Sequence, residues 1–199
     1  MALRVAMVPG PYELRFDAGR LCLDLLATSR PHERLDDAGS LAAWIGASGV
    51  VPVGALPVRV DAGWLVGFRE LRGAVGRLVQ GCLHAEGFSC ERPLAQLNEA
   101  ALPAPPAPRA VLSQEGLLTA ELATPATCSA LLSTIARDAL DLLTDPSSRA
   151  ALRECEGDNC GIVYLDTSRG RRRRWCSSEV CGNRERVARH RRRAALARA

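Results

Sequence analysis

Four cysteines constrain this chain more than any other feature. Cys155 and Cys160 are separated by four residues, Cys176 and Cys181 by another four, and fifteen residues join the two pairs. Zinc takes four soft or borderline ligands in a tetrahedron, and two close cysteine pairs joined by a hairpin can supply them. Two residues is the commonest gap within a pair; four is also used. Four unrelated buried thiols would rarely fall into two regular pairs within 27 residues. The spacing therefore predicts one structural Zn2+ per chain, held by Cys155, Cys160, Cys176 and Cys181. Four thiolates leave no open position for water, which argues against a catalytic metal.

The stretch between the pairs reads as a β-hairpin, with one strand over 161–166, a turn over 167–170 and a return over 171–175. After Cys176, Ser177 or Ser178 can cap a helix running through Val180, Val187 and Leu196. Cys181 then falls in its first turn, where the helix dipole favours a thiolate. Knuckle, hairpin and ligand-bearing helix together describe a treble-clef finger. The other cysteines, Cys22, Cys82, Cys90 and Cys128, share no spacing. Cys22 and Cys82 fall on apolar helix faces and read as packed thiols. None of the three histidines is assigned to the metal.

Charge is divided unevenly along the chain. All 26 basic residues are arginine. Residues 151–199 hold 13 of them against 6 acids, net +7, and the first 150 residues carry net −3. A near-neutral body with a basic end is the footprint of a nucleic-acid-binding module. Arginine suits that role, since its planar fork matches phosphates and guanine edges. The candidate contacts are Arg171, Arg172, Arg173, Arg174, Asn183, Arg184, Arg186, Arg189, Arg192 and Arg193. Arg186, Arg189 and Arg193 share one helical stripe. Asn183 either braces the zinc loop or reads a base. Arg184 either reaches a base or braces the thiolates. Trp175 is either the small core of the finger or a stacking platform.

Upstream, the periodicity predicts a helix-rich α+β body over residues 10–150, ahead of the finger at 151–199. A short strand is expected over 12–16. Helices are expected over 20–28, 40–47, 63–83, 93–101 and 127–144, with a β-hairpin over 109–123 and a short helical link after Pro146. In the longest helix Phe68, Leu71, Val75, Leu78, Val79 and Cys82 line the apolar face, while Arg69, Glu70, Arg72, Arg77 and Gln80 lie mostly opposite. Gly73 and Gly76 each cost that helix about 1 kcal/mol relative to alanine. No apolar run approaches the ~20 residues that span a bilayer, and the N-terminus does not read as a signal peptide. These features predict a cytoplasmic protein with no membrane partner. Ser29, His32 and Asp36 lie close in sequence, but no nucleophile motif surrounds them, so no enzyme is expected.

Trp175-Cys176-Ser177 followed by Cys181-Gly182-Asn183-Arg184 resembles the CGNR zinc-finger family. The first cysteine pair, the run Tyr164-Leu165-Asp166-Thr167-Ser168 and the arginine-rich helix fit the same pattern. The resemblance covers about 45 residues and implies a treble-clef DNA-binding finger. The body is similar to the ABATE domain that accompanies this finger in regulators of stress-induced transcription. The similarity rests on residues 21–28, LCLDLLAT, on 41–45 and on 94–98. Ala27 stands where the family's asparagine is expected. The resemblance implies transcription regulation: a body that senses a small molecule or oligomerises, and a finger that holds duplex DNA. An RNA-binding finger and a protein-interaction adaptor are the rival readings.

Overall fold

The computed structural model describes residues 14–53, 55, 59–84 and 89–196. Helix α1 (Leu21–Ala27) leads into α2 (Ala38–Ser48), and α3 (Ala62–His84) and α4 (Glu91–Ala101) follow. Strands β1 (Pro108–Leu112) and β2 (Leu118–Leu122) form an antiparallel hairpin. The chain continues through α5 (Cys128–Thr144), α6 (Pro146–Ala150), β3 (Leu152–Glu154), β4 (Val163–Leu165) and α7 (Cys181–Leu196). This is a helix-rich body with few strands, followed by a small cysteine-bearing module.

Local chemistry sets the helix ends. The Asp37 carboxylate accepts the Ser40 N–H at 2.7 Å, and Ser40 Oγ accepts the Asp37 N–H at 3.1 Å, a reciprocal cap on α2. Gly49, at φ 77°, stops that helix. Thr127 caps α5 and Asp145 caps α6, whose first residue is Pro146.

The core forms where α3 packs between α1, α4 and α5. Trp44 is fully buried, edge-on to Phe68 at 6.1 Å and tilted against Phe16 at 6.4 Å. Phe68, Leu71, Val75 and Val79 meet Leu131, Ile135 and Leu142 of α5 within one apolar cluster. Two polar ties bind the body. Arg20 and the N–H of Cys22 both reach the Asp138 carboxylate, at 2.8 and 2.9 Å. Arg72 grips Glu33 with two bonds of 2.5 and 2.7 Å and donates to Thr28 Oγ1 at 2.8 Å.

Several expectations need correction. Leu14–Phe16 form no strand, and Tyr12 lies outside the described residues. Cys82 is exposed rather than packed. Arg72 is buried, because Glu33 and Thr28 supply the partners an arginine needs inside. The finger's strand pairs backward: β4 is antiparallel to β3, with Arg153 opposite Tyr164, and not to 171–175. The Asp166 carboxylate accepts the N–H groups of Ser168 and Arg173, both at 3.0 Å. Arg171 adopts φ 47°. With these local bonds 171–175 forms no strand, and its main-chain tie to the hairpin runs from the Glu156 N–H to the Arg174 carbonyl at 2.9 Å.

The β3–β4 hairpin joins the two parts. The Leu165 N–H donates to the Ala18 carbonyl of the body at 2.8 Å, while the Asp166 N–H donates to the Ala151 carbonyl at 2.9 Å and lengthens the β3–β4 ladder by one rung. One buried apolar cluster runs from the helices through Tyr164 to the four cysteines.

Candidate metal centre

Cys155 follows β3, and its N–H donates to the Ile162 carbonyl at 2.9 Å, extending the β3–β4 ladder by one rung. The chain between them is a knuckle. Asn159 and Gly161 adopt left-handed φ values of 56° and 61°, and the Cys160 N–H bonds back to the Gly157 carbonyl at 3.1 Å. Gly157 is required for space as well. A Cβ there would lie 3.2 Å from Cys181 Cβ and 3.4 Å from the sulfurs of Cys155 and Cys181. Cys176 follows the 171–175 segment, and Cys181 opens α7.

The turns bring all four sulfurs within 4.8 Å of one another. Cys160, Cys176 and Cys181 form a triangle with 3.6 Å sides. A tetrahedron with Zn–S bonds of ~2.3 Å has edges of about 3.8 Å. The donor set and spacing fit one zinc ion, and all four residues are buried. Without a cation, four thiols this close do not ionise together. Hydrogen bonds from Cys160 and Cys176, and from the N–H groups of Cys176 and Gly157, hold Cys155 far below the usual thiol range. The bond to Cys155 pushes Cys160 up to about 11 and Cys176 higher still. A divalent ion reverses that logic by stabilising every thiolate.

The sulfurs have outer partners. Cys155 Sγ accepts the N–H groups of Cys176 at 3.3 Å and Gly157 at 3.5 Å. Arg15, 161 residues before Cys176, reaches in from the segment ahead of α1. Its Nη2 donates to Cys176 Sγ at 3.3 Å, its Nη1 lies 4.0 Å from Cys181 Sγ, and Asp17 pairs with it at 3.1 Å. The sequence holds no signal for this contact. Bracing the thiolates is one of the two roles expected of Arg184; the arginine that reaches the sulfurs among the described residues is Arg15.

Trp175 packs on the first turn of α7. A Cβ at Gly182 would sit 3.3 Å from its ring, which explains the second letter of the C-G-N-R run. Among its two candidate roles this is the core one, with the Arg174 guanidinium 5.3 Å from the ring centroid. Arg173 is engaged inside the fold. It lies 4.6 Å from the centroid of the Tyr164 ring and donates to the carbonyls of Trp175, Asp17 and Cys176. Arg174 pairs with Glu156 at 2.6 Å, Arg186 donates to the carbonyls of Gly182 and Ser178, and Arg192 pairs with Glu185 at 3.7 Å. Arg171, Arg172, Asn183, Arg184, Arg189 and Arg193 are exposed, and their side chains make no bond among the described residues.

Beyond Gly182, no described residue of α7 is buried. Those turns carry six arginines and one acid, Glu185. The helix is anchored at Cys181 and otherwise stands in solvent.

Residues 19–146 match the ABATE family model, described as "Putative stress-induced transcription regulator". Residues 151–194 match the model of the CGNR zinc finger. Both families are of regulator or finger type rather than enzymes. A search of curated proteins gives no match. No described helix is long and apolar enough to cross a membrane.

Proposed function

We propose that this chain, which belongs to the ABATE family and carries a CGNR zinc finger, is a cytoplasmic, non-enzymatic transcription regulator whose finger binds duplex DNA. The division is a regulatory body over residues 10–150 and a treble-clef finger over 151–199. Zinc is structural, with Cys155, Cys160, Cys176 and Cys181 as its ligands.

One observation carries the DNA reading. Helix α7 is fixed at one end by Cys181 and unpacked for the rest of its length. A helix that is polar all round buries nothing against its own protein. Its arginines form a dense, one-signed surface, and a polyanion is the partner that suits them. Arg184 and Asn183 lie in the first turn, where recognition helices reach base edges. Arg171, Arg172, Arg174, Arg186, Arg189, Arg192 and Arg193 would take phosphates. Arg173, drawn into the fold, would act by holding the finger together.

Salt dependence tests this. Each neutralised phosphate lowers the slope of log K against log salt by about 0.9 on B-DNA, so ~4 to 6 contacts give a slope of roughly −4 to −5. Replacing Arg189 and Arg193 together should flatten it by about 2 with zinc content unchanged. An unchanged slope would remove α7 from the interface. Stronger binding to structured RNA than to duplex DNA would favour an RNA-binding finger.

A further inference from the structure

Helices α1 and α3 of the body and residues 161–163 of the finger line an open-sided cavity of about 400 Å3. Four arginines line it, Arg30, Arg69, Arg72 and Arg77, and no carboxylate does. Glu33 balances Arg72 from outside the lining. The other three have no carboxylate partner among the described residues, and Arg77 donates to the neutral Gln96 Oε1 at 3.2 Å. Arg69 donates to the Leu35 carbonyl, yet its buried Nε–H has no acceptor. The Arg30 guanidinium makes no bond among the described residues, and its Nη1 lies 3.7 Å from where a Gly161 Cβ would be. A buried donor without an acceptor is costly, and clustered cations repel one another.

The rest of the lining is apolar or backbone. Leu26 and Ala27 form one side, and Ile162 and Val163 the finger side. Gly73 and Gly76 of α3 also line the cavity. Packing explains Gly76, since a Cβ there would meet Leu26 Cδ1 at 3.0 Å. It does not explain Gly73, where a Cβ would meet only the tip of Arg77, at an ordinary 3.7 Å. Glycine is a poorer helix former than alanine, and here it leaves the cavity open.

We propose that this arginine-lined cavity is a binding site for a small organic anion, one carboxylate or phosphate-ester head on an apolar body. Guanidinium forks bind both heads in the same way. The apolar walls select an organic anion over a bare inorganic one, and the volume is in the range of small-molecule sites. Because 161–163 lead from the Cys160 ligand into β4, the occupant touches body and finger together. The proposal deepens the reading of the body as a regulatory unit, and its ligand chemistry stands whether or not the finger binds DNA.

Calorimetric titration of the full-length, zinc-loaded protein tests it with four probes: benzoate, phenyl phosphate, inorganic phosphate and benzamide. Benzoate or phenyl phosphate should bind at least tenfold more tightly than inorganic phosphate, and the neutral amide should not bind. Preference between the first two identifies the head group. Arg30→Gln with Arg77→Gln should weaken the tighter probe at least tenfold. Gly73→Leu should fill the cavity and abolish binding while leaving the helical circular dichroism intact. No binding of either organic anion would overturn the proposal. So would unchanged affinity in a folded Gly73→Leu protein. DNA affinity measured on the same samples keeps the two readings apart: a protein that binds DNA and no anion fails here alone.

Discussion

Replacing Arg15 with alanine should loosen the metal without altering any ligand. Its side chain is 11% exposed, and it places one nitrogen 3.3 Å from Cys176 Sγ and another 4.0 Å from Cys181 Sγ. A hydrogen bond to a charged group contributes about 1.5–3 kcal/mol. The 4.0 Å contact adds little, so one strong bond sets the scale. Loss of an outer partner of a metal ligand typically costs 10–100-fold in affinity, or about 1.4–2.7 kcal/mol, and the two ranges agree. The assay is competition for zinc between the protein and a chromogenic chelator at fixed pH. Arg15→Ala should release zinc at 10–100-fold lower chelator activity than wild type. Arg15→Lys keeps the charge but not the fork, and should fall between them. If Arg15→Ala held zinc as tightly as wild type, the arginine would be a surface residue lying across the finger, and the reasoning would fail.

Cys176→Ser should lose its zinc by elemental analysis, since Cys176 Sγ lies 3.6 Å from both Cys160 and Cys181; a full equivalent retained would refute the site. Chelation should release α7 and the knuckle and lower the melting temperature of the rest, because Tyr164 and Leu165 belong to the common core. Helices α1–α5 should persist in circular dichroism, and complete loss of helix would contradict the proposed division. Burial raises Asp24 to about 7 from 3.8. Between those values the folded chain keeps a proton that the unfolded chain releases, so this group's contribution falls as pH rises, by at most about 1.4 kcal/mol per unit. Asp24→Asn preserves the acceptor for the Ala18 N–H and should flatten urea-derived stability between pH 5 and 7, an unchanged slope being the contrary result.

Local rules carried most of the fold into the sequence. The apolar stripe of α3, the Asp37–Ser40 cap and the Asp145-Pro146 start each act within a few residues, so the helices were legible. The sulfur cluster was legible because ligand spacing is itself local. Long-range choices were not. Strand β3 spans three residues, too few for an alternation to register. Its partner β4 lies across the knuckle, and the outer edge of β4 is met by the Ala18 carbonyl, 147 positions before Leu165. Arg72 looked like a surface residue because Glu33 lies 39 positions away. Arg15 reaches the sulfurs only after the segment ahead of α1 folds over the finger, and no spacing rule announces it.

A zinc-held basic helix that binds duplex DNA has a direct signature in solution. The direct measurement is a fluorescence anisotropy titration of zinc-loaded wild type against labelled duplex DNA, at about 50 and 200 mM salt. Binding at low salt that weakens by roughly 200- to 1,000-fold at the higher concentration, as a slope of −4 to −5 requires, is the predicted result. No binding to the duplex even at the lower salt would contradict it.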